Sequence, residues 1–202
     1  IGATLRGTDK SIKTRAAAAA AAGSDARMSG CELPVVINSG SGNQGLTASL
    51  PVIEYAQELG IERETLHRAL LLSNLLTIHL KTGIGCLSAY CGAVSAGCAA
   101  GAAVAWLHGG DLSAVAHTLV NSLAILSGMV CDGAKASCAA KIGLAVENAL
   151  MALELSLEGN VFQPGEGMTM EDPEDTIAAV GRMGRVGMKG TDVEILNIML
   201  GN

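Results

Sequence analysis

Aromatic side chains are almost missing from this chain: one Trp, two Tyr and one Phe in 202 residues, although half of all residues are apolar. A core without rings has to be built from Ala, Leu, Val, Ile and Met, and so from helices that approach one another closely. Positive charge is short as well. Thirteen Lys and Arg face nineteen Asp and Glu, a net charge of −6 and a pI near 5.2. With no basic stripe and no aromatic platform, nucleic acid is excluded as a partner, and a small metabolite fits better. No secretory signal opens the chain, since Ile1 to Arg15 carries charges and no apolar stretch; its start at Ile instead of Met is that of a fragment or a trimmed chain. The six cysteines are therefore read as reduced thiols of a cytoplasmic protein and not as a disulfide framework.

Other absences narrow the chemistry. The four histidines, at 67, 79, 108 and 117, have no HExxH or paired spacing and do not form a zinc set. There is no Gly-x-Ser-x-Gly elbow of a serine hydrolase. No alternating strand and helix pattern frames a Walker or Rossmann loop, and nothing supports a pyridoxal-phosphate fold. Charge is absent between Lys81 and Asp111 and again from Leu112 to Cys131, and Gly97-Cys-Ala-Ala-Gly101 is a GxxxG pattern. Two membrane spans would fit by length. The first run is mostly Gly, Ala, Ser and Cys, however, and Asp111, His117, Asn121 and Asp132 interrupt or flank the second, so both are expected to be buried helices of a core without a membrane, GxxxG marking close backbone approach.

What is present is helical. The length suits a single domain over residues 1–202, strand signals are scarce, no repeat stands out, and the expected fold class is all-α. Ala16 to Ala22 is a helix without a polar pattern, expected to dock on something outside the chain. Ser29 to Gly45 reads as a loop. Helices are expected over Leu50 to Leu59, Glu62 to Lys81, Cys86 to Leu107, Leu112 to Val130 with Asp111 as N-cap, and Ala134 to Glu158. Asp172-Pro-Glu-Asp175 opens a further helix, and Thr191-Asp-Val-Glu194 is a capping box for a last one.

Two features carry chemistry. Asn38-Ser-Gly-Ser-Gly-Asn-Gln-Gly45 offers backbone N–H groups, hydroxyls and amides just before a helix, a cradle for a carboxylate or else a surface turn. Cys91, Cys131 and Cys138 form a triplet in which the last two share Cys131-Asp-Gly-Ala-Lys-Ala-Ser-Cys138. An electron-transfer 4Fe–4S cluster takes four cysteine ligands; three would leave one iron open as a Lewis acid, the logic of a catalytic metal site. Spacing alone leaves a second reading in which the thiols are packed as small hydrophobes.

These segments, with Lys81-Thr-Gly-Ile-Gly and Ala-Tyr-Cys91-Gly-Ala-Val-Ser-Ala-Gly, resemble the iron–sulfur L-serine dehydratase alpha-chain superfamily, closer to its bacterial and archaeal branch of L-cysteine desulfidases and their uncharacterised relatives. The resemblance covers the chain from about Ala16 onward. It implies a 4Fe–4S cluster held by Cys91, Cys131 and Cys138, a substrate carboxylate held by Ser39, Gly40, Ser41, Gly42, Asn43 and Gln44, and β-elimination of L-cysteine to pyruvate, ammonia and hydrogen sulfide. L-serine dehydration is the alternative, and a non-catalytic helical binding or regulatory domain the bland one. Lys135 is the candidate for charge stabilisation, with a solvated lysine at a helix start as its other reading. Cys86 and Cys98 are placed in the same helix as Cys91, as core packing; Cys31 has no motif behind it. Family chains are longer, with an N-terminal half that carries a further catalytic cysteine. This chain would then be the C-terminal, cluster-binding half. The apolar faces of its Ala and Gly-rich helices would be covered by that N-terminal half or by a second copy.

Overall fold

The computed structural model describes all 202 residues and is all-α. In chain order the helices are α1 (Gly2–Thr8), α2 (Ile12–Met28), α3 (Gly42–Glu58), α4 (Arg63–Ile84), α5 (Gly92–Leu107), α6 (Leu112–Ile125), α7 (Cys138–Leu157), α8 (Pro173–Arg182) and α9 (Lys189–Leu200), with a π-helical turn over Met183–Gly187 between the last two. No helix is long and apolar enough to cross a membrane. Pairing of extended backbone is limited to two isolated antiparallel bridges, Asn38 with Ser41 and Tyr90 with Val130.

Helix α5 is the axis of the molecule. It packs against α3, α4, α6 and α7, and every residue from Ala93 to Ala105 is buried. Its composition explains how four neighbours fit: a Cβ on Gly97 would stand 2.9 Å from the Ala145 carbonyl oxygen, and one on Gly101 2.7 Å from the Ala149 Cβ. A buried methyl contributes only about 0.8 kcal/mol, so a core of Ala and Gly is stabilised by the number and closeness of its contacts.

The alanine run behaves the same way, which corrects an expectation. Ala16, Ala17, Ala20 and Ala21 are fully buried because α2 docks inside the chain, between α3 and α7, and its partner is not external. The Ala and Gly-rich faces are likewise covered internally. The apolar residues left exposed are elsewhere, on α4 (Leu71, Leu75, Ile78), in the segment Leu33, Val36 and Ile37, and along α9 (Val193, Leu196, Ile198, Met199, Leu200).

Caps set several boundaries as the sequence implies. Asp111 accepts from the Ala114 N–H at 2.9 Å to start α6, and Asp172 accepts from the Glu174 N–H at 2.8 Å with Pro173 in the first turn of α8. Other boundaries move. Helix α3 begins at Gly42, inside the stretch read as a loop, and α6 ends at Ile125 because the chain leaves it to form the Val130 bridge. Helix α7 starts at Cys138 and not near Ala134. The Thr191 capping box is not made: α9 continues directly from the π-helical turn, so Thr191 lies within its first turn. Cys86 is the clearest displacement. Gly85, at φ +100, ends α4, and residues up to Cys91 form a connection before α5; Cys86 is exposed there and does not pack in a helix, whereas Cys98 is fully buried.

Candidate functional site

Three helices begin at one place. The N-termini of α3, α5 and α7 open on a cavity of about 290 Å³, and none of the three carries a side-chain cap. The caps that are made, by Ser11, Asp111 and Asp172, serve helices that start elsewhere. Uncapped first turns leave N–H groups and the positive end of the helix dipole facing the cavity, so it favours anionic groups.

At α3 the backbone makes this possible. Ser39 at φ +48 and Gly40 at φ +88 turn the chain back on itself, with Asn38 and Ser41 exchanging backbone hydrogen bonds of 3.2 and 3.1 Å. The Asn38 amide then donates to the side chain of Asn74 at 2.8 Å and anchors the turn to α4. Gly42 leaves room for Arg27, whose Nε would lie 2.8 Å from a Cβ there, and any Cβ on Gly45 would run into the Val36 carbonyl oxygen. Gly40, Ser41, Asn43 and Gln44 line the cavity; Ser39 and Gly42 support the turn behind them. The Gln44 amide nitrogen donates to the Ser39 carbonyl at 3.4 Å, and its buried Oε1 has no partner.

The cysteines arrive by two routes. The Cys91 N–H donates to the Met129 carbonyl at 3.0 Å, and the Cys131 N–H donates to the Ala89 carbonyl at 2.6 Å, so the Tyr90–Val130 bridge sets Cys91 beside Cys131. Cys138 is the first residue of α7, its Sγ held between the Lys135 N–H and the Gly133 carbonyl, each at 3.5 Å. All three line the cavity, and so does the exposed Cys86. No three His, Cys, Asp or Glu side chains stand close enough to hold a single metal ion.

Charge is distributed unevenly among these groups. The neighbouring Cys91, with the Gly133 N–H and Lys141, holds Cys131 well below the usual thiol range, while Cys131 and burial push Cys91 up. Lys141 donates to the Val130 carbonyl at 2.8 Å and to Asp132 at 2.5 Å. Burial pushes Lys141 down, but its bond to Asp132 outweighs that and leaves it above its ordinary value. Asp132, between Lys135 and Lys141, is held down at about 2.

Lys135 is not among the cavity residues. Its ammonium pairs with Asp132 and donates to the Asp132 carbonyl at 2.9 Å on the exposed side of the loop, because the turn through Gly133 (φ +94) faces it outward. Three cations that the motif reading passed over face the cavity instead: Arg27, Lys81 and Lys141. Lys81 stood in a quoted motif, but only packing shows that the residue ends 4% exposed on α4. Its proton affinity is lowered by burial and raised again by Cys131, Cys86 and Cys91. Cys31 lies outside the cavity, and the histidines stay apart, His79 on Glu174 at 2.7 Å and His108 edge-on to Tyr55.

Fold and cavity together define an all-α domain that gathers thiols, ammonium groups and helix N-termini around one cavity. The chain belongs to the serine dehydratase alpha chain family, which matches residues 2–197 and so includes α1 as well as the segments from Ala16 onward. It is 62% identical to a UPF0597 protein of Desulfitobacterium hafniense, in an alignment covering 94% of this chain and 44% of that one. Similar proteins from Treponema denticola (53%, 96% and 45%) and Finegoldia magna (48%, 99% and 48%) carry the same designation. The chain thus spans less than half the length of these relatives. No solved structure matches it.

Proposed function

We propose that the chain forms the cluster-binding part of an iron–sulfur lyase that catalyses β-elimination from a small amino acid, L-cysteine first and L-serine as the alternative. The observation that carries this reading is the meeting of Cys91, Cys131 and Cys138 on one cavity in a chain of the serine dehydratase alpha chain family. The donor set fits a sulfur-ligated group of several metal atoms better than a single ion: three thiols are spread over two chain segments, Cys91 and Cys131 stand side by side, and Lys141 offsets the thiolate charge. A 4Fe–4S cluster on these cysteines would supply a Lewis-acidic iron for the leaving group.

The residues of the chain itself do the remaining work. The first turn of α3, with Ser41 and Asn43, offers N–H, hydroxyl and amide donors to the substrate carboxylate. Elimination breaks the Cα–H and Cβ–S bonds and forms 2-aminoacrylate; the departing thiolate takes up a proton as hydrogen sulfide, and one water converts the product to pyruvate and ammonia. L-serine would release water in place of hydrogen sulfide, and the description of the matching family favours it. In this reading the exposed apolar residues of α4 and α9 are covered by the rest of a longer polypeptide or by a second copy, and the protein is cytoplasmic.

The test is anaerobic reconstitution with iron and sulfide, recorded beside a Cys131→Ser, Cys138→Ser variant. A brown protein with about four irons per chain and a colourless variant is the expected result. Sulfide and pyruvate release from L-cysteine and L-serine then selects the substrate. A colourless protein whose variant differs only modestly in stability would favour the packed-cysteine domain instead.

A further inference from the structure

Four cations stand at or beside the cavity, and three of them are engaged. Arg27 donates to the Asn43 side chain at 3.2 Å, Lys141 holds Asp132 and the Val130 carbonyl, and Lys135 is paired with Asp132 outside the cavity. Lys81 alone has neither a hydrogen bond nor an ion pair, although it is 96% buried and lines the cavity. A largely buried lysine without an acceptor gains from an anion that reaches its ammonium through the cavity. Gln44 lines the cavity too, and its Oε1, packed over Gly92 at the start of α5, is an orphaned acceptor. The other unpartnered buried groups do not recur in complementary pairs: the Tyr90 hydroxyl lines the same cavity, and the Thr169 hydroxyl lines a separate one beside the start of α6, where Asp111 already caps the helix.

We infer that Lys81 and Gln44 together read the two charges of a zwitterionic α-amino acid, the Lys81 ammonium donating to its carboxylate and the Gln44 carbonyl accepting a hydrogen bond from its α-ammonium. The inference rests on the amino-acid reading above and sharpens it: the cavity selects for both backbone charges of the ligand at once. A carboxylate beside a desolvated ammonium gains a charge-assisted hydrogen bond that water does not screen. An amide of the same amino acid lacks the charge that Lys81 needs, and a simple carboxylic acid lacks the donor that Gln44 needs.

Binding of non-reacting ligands, followed by ligand-observed NMR on the iron-loaded protein, tests this without turnover. The probes are L-alanine with both charges, L-alaninamide with only the ammonium, and propanoate with only the carboxylate. Native protein is expected to bind L-alanine at least about tenfold more tightly than either single-charge probe. Lys81→Met is expected to lose that factor for L-alanine and propanoate and leave L-alaninamide unchanged, with Lys81→Arg recovering part of it. Gln44→Leu is expected to weaken L-alanine and L-alaninamide and spare propanoate. A well-folded Lys81→Met protein that still prefers L-alanine over L-alaninamide by the native factor overturns the role of Lys81 and leaves the lyase reading standing. Should Lys81→Met melt early, Lys81→Arg decides, since a change equal for all three probes overturns the assignment. A native protein indifferent to all three probes overturns both the assignment and the amino-acid reading.

Discussion

The two ends of the same pair of helices behave differently. Along their middles α5 and α7 touch through Gly97, Gly101, Ala145 and Ala149, with no room for another methyl. At their N-termini, Cys91 and Cys138 stand beside an open cavity with uncapped backbone, four cysteines and three facing cations. Tight packing in the middle fixes where the ends lie, and so a site can be kept polar and incompletely satisfied without loosening the fold.

Adding volume in the middle should have the largest effect. Gly101→Leu places a side chain where a Cβ alone is 2.7 Å from Ala149, and a loss of about 3 kcal/mol is expected in urea denaturation. Gly190 on α9 has nothing within 4 Å, so Gly190→Ala should change stability by less than about 1 kcal/mol, in the favourable direction. Equal losses at both positions would show that α5 and α7 are not tightly apposed.

At the cavity end the expected loss is smaller and depends on pH. Lys141→Met removes two hydrogen bonds from a partly exposed ammonium, for about 1.5 kcal/mol after allowance for screening. Asp132 is held down at about 2, so its contribution is complete above the ordinary carboxylate value near 4 and is lost as pH falls toward about 2. Lys141 is raised, so its contribution is complete below the ordinary lysine value and is lost as pH rises through its higher one. The stability advantage of native protein over Lys141→Met, followed by urea titration at several pH values, should therefore be flat near neutrality and shrink on acidification from pH 4 to 2. A gap that persists at pH 2 would mean the lysine acts by packing its stem.

The smallest change is expected from Tyr90→Phe. Its hydroxyl is buried without a partner, and removing it should alter stability by less than about 1 kcal/mol and raise it if anything. A loss above 2 kcal/mol would reveal a hydrogen bond from that hydroxyl.

Much of this was legible in one dimension, and the misses have physical causes. Asp111 and Asp172 mark their helix starts because capping is local. Gly42 was read as loop because glycine disfavours helices, but burial of Asn43, Gln44 and Gly45 against neighbouring elements overrides that propensity. Cys86 is expected at the start of the helix that carries Cys91, but that helix, α5, begins only at Gly92, after a connection opened by Gly85 at φ +100. Lys135 drew notice through proximity in sequence to two cysteines, yet in the loop it pairs outward with Asp132, while Lys141, on α7, lines the cavity.

By itself the sequence determined that the chain would be helical, that its core would be alanine and glycine, and which segments carry its chemical groups, since helix propensity, residue size and motif order are properties of neighbours along the chain. Only the tertiary structure decided that three helix N-termini meet, that Cys91 stands beside Cys131, and that Lys81 is the one cation lining the cavity without a partner. Those facts depend on which distant surfaces pack together, and burial, which gives an ammonium or a thiol its reactivity, exists only once they do.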